Sequence, residues 1–525
     1  MSEDSKLLFT SGADWNEELL RRCWEECKVI AQEDMRQTYY EPQIEVVSAA
    51  QMLEAYTSSG LPVWYSHWSY GKELVKSEAD YKKGLMGLAY EIVINSNPCI
   101  AYLMEENNAL VQLLVIAHAS IGHSAVFKNN FMFKNYTDAA GIVSYLSFAR
   151  RYILMCEERY GVDEVEAVLD ACHALSLYGT DSAKRNRALN SEQEEKKAIE
   201  RFAQQLYDYD AVWQKVGKGL VDKAKADQAP PAEDDEEGLL AEPQENLLYF
   251  IEKHGKIPAW KKELIRINRM IAQYFDPQRK TKVLNEGYAT FTHYYILNRL
   301  YDKGLIDEGS MHEFFRMHSG VIAQRAQAAF NPYKLGFEIF MSLKAACEDG
   351  CKDPDDEPYH GHLKGQPWQD VLQEAMMNYT DETFILQFLA PSVAKKLEMF
   401  AIRDHGLYDE EYLITEVARP ESFRELRAKL AAQYHISRYK PDIQVIGNDD
   451  DVLRLKHFVV NNRPLNEEQA NDVIAHASYL WGGTVKLTMY IDDGDGETSV
   501  PHVIMALNGA RVENSIDIGW GVFTF

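Results

Sequence analysis

Asn108-Ala-Leu-Val-Gln-Leu-Leu-Val-Ile-Ala-His-Ala-Ser-Ile-Gly-His123 opens on a helix-capping residue and then repeats apolar side chains at Leu110, Leu113, Leu114 and Ala117. That spacing predicts an apolar helix ending in two histidines. Just upstream, the apolar runs Ala89–Ile94 and Cys99–Met104 flank Asn95-Ser-Asn-Pro98. The β-branched residues and turn-forming spacer read as a hairpin, with a helix–turn–helix as the alternative. Farther upstream, Leu61-Pro-Val-Trp-Tyr-Ser-His-Trp-Ser-Tyr70 is too aromatic for a surface loop and places His67 in a core or pocket. Asp14 and Glu17 read as a capping box ahead of an amphipathic helix bearing Leu19, Leu20, Trp24, Cys27 and Ile30.

Downstream, helices are expected over Asp138–Arg151 and Asp163–Leu175, then in a charged segment from Ser191 to Lys225. Ala229-Pro-Pro-Ala-Glu-Asp-Asp-Glu-Glu237 joins two prolines to a block of like charge and reads as a linker. Strong helical periodicity returns around Leu264–Phe275, Val283–Leu300 and Lys334–Ala346. Near the C-terminus, Asp442–Ile446, Leu453–Val460 and Thr484–Ile491 alternate like strands around a helix capped by Asn466 and Gln469. The expectation is a mainly α protein with a small β component: a helical body plus a C-terminal α+β module. Its segments are residues 1–228, an acidic linker over 229–245, a second helical segment over 246–430 packing on the first, and the module over 431–525.

The formal charge of −26 over 525 residues is unsuited to nucleic acid phosphates or anionic lipid. No run approaches the ~18 apolar residues of a spanning helix. The acidic start Met1-Ser2-Glu3-Asp4 does not look like a signal peptide. The seven cysteines lack zinc-ribbon spacing and read as reduced thiols. These features predict a cytoplasmic protein with no nucleic acid or membrane partner, and leave the oligomeric state open.

Chemistry concentrates in two stretches. His118 and His123 end an apolar helix and are followed by Lys128, Asn129 and Asn130. In Leu284-Asn-Glu-Gly-Tyr-Ala-Thr-Phe-Thr-His-Tyr-Tyr295, Glu286 and His293 are seven apart and project within about 20° of each other on an ideal helix. His118, His123, Glu286 and His293 are therefore the candidate ligands of a divalent metal, zinc in the first instance, on the plan of zinc peptidases with two histidines on one helix and a glutamate on a later one. The i,i+5 histidine spacing departs from His-Glu-x-x-His and spans about 140° of an ideal helix, so a π-bulge or a helix end near Gly122 is required. Ala119 stands where the general base would be. His67, Lys128, Asn129, Asn130 and Tyr288 are the accompanying catalytic candidates, the Lys-Asn-Asn run orienting an anionic or amide substrate or else capping the helix. The competing reading makes both histidines satisfied core residues and pairs Glu286 with an arginine. Tyr359-His-Gly-His362 reads as a solvated loop.

The strings Leu88-Ala-Tyr-Glu-Ile-Val-Ile-Asn-Ser-Asn-Pro-Cys-Ile-Ala-Tyr-Leu-Met-Glu105, Ala117-His-Ala, Gly122-His123 and Phe127-Lys-Asn-Asn130 resemble the SpoVR-like family (stage V sporulation protein R). So do Arg159-Tyr-Gly-Val-Asp163, Cys172-His-Ala174, Asn285-Glu-Gly287, Asn331-Pro-Tyr-Lys-Leu-Gly-Phe337, Arg463-Pro-Leu465 and Leu480-Trp-Gly482. The resemblance covers most of the chain. It implies a sporulation, stress or stationary-phase protein, often encoded near a serine protein kinase, without defining a reaction. Two functions follow as expectations: a metal-dependent hydrolase of an amide or related bond, or a non-catalytic regulatory or scaffold protein acting with such a kinase in stress signalling.

Overall fold

A computed structural model describes residues 7–57, 65, 67–69, 72, 91–181, 245–324, 329–404, 412–417, 419–449, 452–460, 463–492 and 499–511. The chain is mainly helical with an α+β arrangement at its C-terminal end, as its periodicities predict. It divides into two compact units, each assembled from separated stretches: Met1–Ala140 with Pro277–His435, and Gly141–Asp276 with Ile436–Phe525. Each unit joins stretches far apart in the chain because apolar faces find partners distant in sequence. The linker over 229–245 lies, except for Glu245, outside the described residues.

In the first unit, the helix Glu17–Glu33 buries Leu20, Cys23, Cys27 and Ile30. Its cap is Asn16, whose side chain accepts from the Leu19 amide at 2.9 Å, in place of the expected Asp14. The helix closes through Arg36 in the left-handed region (φ 52°), with the Gln37 amide returning to the Ala31 carbonyl at 2.9 Å. Strand β1 (Pro42–Val47) was not anticipated. It runs parallel to β3 (Cys99–Met104), which also pairs antiparallel with β2 (Glu91–Ile94) as the predicted hairpin.

The apolar helix that follows is α-helical over Ala109–Val115, π-helical over Ile116–His123 and α-helical again over Ser124–Asn129. Asn108 caps it through the Val111 amide at 3.0 Å. Against the sequence expectation, this 21-residue stretch is long and apolar enough to cross a membrane by composition, but its apolar window is wholly buried in the protein. The helix Lys282–Asp302 packs on it and on Pro332–Glu348. Asp381 receives the Val283 and Leu284 amides at 2.9 Å, fixing the start of that middle helix. The unit also contains the antiparallel pair β4 (Phe400–Asp404) and β5 (Tyr412–Val417). His360 corrects the reading of a solvated loop: it sits in a short helical turn and is 2% exposed.

The second unit holds the helices Ile142–Tyr160, Val162–Ala174 and Leu247–His254. Its sheet has the order β10-β9-β8-β7-β6, with β6 at Asp442–Asp449, β7 at Val452–Phe458, β8 at Thr484–Asp492, β9 at Ser499–Leu507 and β10 at Ala510–Arg511. The helix Glu467–Trp481 crosses between the parallel pair β7 and β8 and packs on β8 and β9. The β-β-α-β order read from the sequence is present, extended by two strands.

Candidate metal centre

Two close backbone approaches assemble the site. A Cβ on Gly122 would come within 2.6 Å of the Ala289 Cα, so a glycine is required where the histidine helix meets the Lys282–Asp302 helix. On that second helix, Gly287 lies against Gly336 of Pro332–Glu348 so tightly that a Cβ on either would strike backbone. Glu286, between Asn285 and Gly287, is thereby carried to the histidines.

The π-turn supplies the rest. In an α-helix, residues five apart diverge by about 140°. The wider π-turn over Ile116–His123 brings the His118 and His123 rings to a centroid separation of 4.7 Å. His123 Nε2 lies 3.4 Å and His118 Nε2 3.8 Å from Glu286 Oε2. Glu91, not anticipated from the sequence, enters from β2 with Oε1 3.3 Å from His118 Nε2. Its only signal was an isolated acid heading the apolar run Ile92-Val-Ile94. Glu91, His118 and His123 each offer a ligand atom within 4.8 Å of the others, a set that could hold a metal ion.

Every ring nitrogen that faces away from this focus is engaged. His123 Nδ1 lies 2.9 Å from Asn285 Oδ1, and His118 Nδ1 lies 2.9 Å from His293 Nδ1. His293 Nε2 continues to His318 Nδ1 at 3.0 Å, so both its nitrogens are occupied behind His118. By contrast His118 Nε2, Glu91 Oε2 and Glu286 Oε2 are buried and complete no hydrogen bond. Burial pushes His118 and His318 each down to about 4 and His293 well below its usual value. Burial, reinforced by Glu286, pushes Glu91 well up. Burial alone would also raise Glu286, but His123, His118 and the Tyr333 hydroxyl together outweigh it and hold its carboxyl below the usual range. Burial thus favours the neutral forms of His118 and Glu91, while the neighbouring histidines favour the ionised form of Glu286.

The remaining candidates stand elsewhere. Asn129 donates to the Thr38 and Ala125 carbonyls, at 2.7 and 2.9 Å. Asn130 donates to those of Met376 and Tyr379 and caps the following helix through the Met132 amide. Lys128 reaches the Tyr39 carbonyl at 2.7 Å. Tyr288 is buried against Phe340, with its hydroxyl facing Gln37. His67 is buried, its Nδ1 2.7 Å from the Ser69 hydroxyl, and packs on Trp68.

Residues 14–439 match the family model described as SpoVR like protein, and residues 441–492 match the SpoVR-like C-terminal domain. The chain is also 42% identical over 509 residues to the uncharacterized protein YcgB of Escherichia coli (strain K12), covering 95% of this chain and 96% of that one. No solved structure matches it.

Proposed function

The chain belongs to the SpoVR-like family, and we propose that it is a divalent-metal-dependent hydrolase acting on an amide or related bond, with zinc as its cation. The observation that carries this reading is a buried cluster in which His118 Nε2 lies 3.3 Å from Glu91 Oε1 and 3.8 Å from Glu286 Oε2, while His118 Nε2, Glu91 Oε2 and Glu286 Oε2 complete no hydrogen bond. Such a cluster is costly unless something completes it. Neutral imidazole with carboxylate is a set that zinc accepts, as do manganese and iron. His118, His123 and Glu286 would hold the ion. A bound cation supplies Lewis acidity toward a carbonyl and toward water.

The chain's own groups fit around that role. For His118 Nε2 to ligate, its proton must sit on Nδ1, where His293 accepts it and passes the polarity on to His318. Ala119 offers no general base; Glu91 brings a second carboxyl to the focus from a different element.

The test is elemental analysis of protein purified without a histidine tag, beside His123→Ala and Glu286→Ala. Near-stoichiometric metal, lost in both folded variants, is the expected outcome. A metal-free wild type sinks the reading. Coordination filled entirely by side chains, read from a cobalt-substituted spectrum, would instead favour the regulator acting with a serine protein kinase.

A further inference from the structure

Five residues beyond His123, Lys128 lines a cleft of about 500 Å³ with Gln32, Arg36, Gln37, Tyr39 and Glu41. We propose that this cleft binds a small amide-bearing carboxylic acid, of the N-acyl amino acid class. Its volume suits such a ligand.

The cleft's polar groups are built and left open. The Schellman-type closure at Arg36 turns Gln37 inward, where it is 3% exposed. Neither its amide nitrogen nor its oxygen completes a hydrogen bond, although the Tyr288 hydroxyl lies near, and the Tyr39 hydroxyl beside Gln32 is also unsatisfied. A buried carboxamide open at both donor and acceptor calls for a partner offering both, which is what an amide does. Among the described residues no carboxylate pairs with Lys128, which is held by the Tyr39 carbonyl and the Tyr40 ring. Arg36 is already partnered by Asp370 at 3.7 Å, so Lys128 is the cation left for a carboxylate. Glu41, exposed on the rim, disfavours a dianion such as phosphate.

The ligand carries the bond class proposed for hydrolysis; a substrate role would rest on the metal reading, and the binding does not.

The probe is N-acetylglycine, titrated by calorimetry into the full chain with a chelator present, beside acetamide and inorganic phosphate. Metal content is measured separately on untreated samples. Binding of N-acetylglycine, with acetamide and phosphate much weaker, is expected. Gln37→Leu and Lys128→Met should each weaken it about tenfold or more. Because Lys128→Met also loses the Tyr39 contact, Gln37→Leu decides. It should keep the metal and leave the empty protein as stable as wild type or more so, since an unsatisfied buried amide is removed. No binding, equal binding of phosphate, undiminished binding in both variants, or a Gln37→Leu protein that is destabilised would each overturn the site. Binding without any metal in the protein would retain the cleft and discard the hydrolase.

Discussion

Glu252, in the unit containing the C-terminal sheet, has a fully buried side chain that Arg266 Nε meets at 2.9 Å and Arg269 Nε at 3.1 Å. Glu91 and Glu286, in the other unit, face histidines across 3.3 to 3.8 Å, and one oxygen of each has no hydrogen bond. Both arrangements bury carboxylates, at similar cost in lost hydration. In the first, opposite charges outweigh the burial that would raise Glu252 and hold it below its usual value. The second has its satisfied contacts turned outward and its open atoms turned inward. A closed network specifies packing, and an open one specifies an occupant.

The largest expected effect tests the closed network. Glu252→Ala removes the buried carboxylate that Arg266 and Arg269 share, leaving Arg266 to Glu263, and should cost about 3–5 kcal/mol, confined to its own unit. Urea unfolding followed by hydrogen exchange would show this, with metal content unchanged. A loss below about 1 kcal/mol would mean the network is no better compensated than the histidine cluster.

Acid should separate the units next. His118, His318 and His360, all in the first unit, are held by burial at about 4 against about 6.5 for a free imidazole. Between these values the unfolded chain takes up protons first, so stability is lost as pH falls from 6.5 to 4 and is intact above 6.5. Each group contributes at most roughly 3 kcal/mol. Asp381, raised to about 7 by burial, and Glu91 act in the opposite direction and soften the loss. Chelator-treated protein should therefore lose protection in the first unit before the second, where His457 is lowered too. Simultaneous loss in both units would break the contrast.

The smallest effect is the sharpest. Glu91→Gln keeps the shape of a carboxyl whose neutral form burial favours, so apo stability at pH 7 should move by less than about 1 kcal/mol. Metal affinity should nevertheless fall, read by competition with a chromophoric chelator. A large loss of stability would make Glu91 a structural residue.

Much of this was legible in the sequence wherever one period governed one element. The hairpin, both histidine-bearing helices and the β-β-α-β order follow from alternation or a 3.6-residue repeat. Strand β1 escaped because its partner β3 is distant in the chain and its own burial does not alternate. Glu91 escaped because it is a lone polar residue in an apolar element, and His318 because it is one of many polar residues on its helix; each is tied to the cluster only by tertiary packing. The interleaving of the units escaped for the same reason. The helical angle showed that His118 and His123 needed a widened turn, but residue types do not announce one.

That widened turn also bears on how such sites are sought. Five residues in a π-turn set two imidazoles side by side, as four do in an α-helix, so a search keyed to the shorter interval passes over this chain. Deleting one residue between His118 and His123 would restore the familiar spelling. It would also rotate every side chain after the deletion about the helix axis, Lys128 included. The extra residue is thus a phase setting that couples the histidine pair to everything downstream on the same helix.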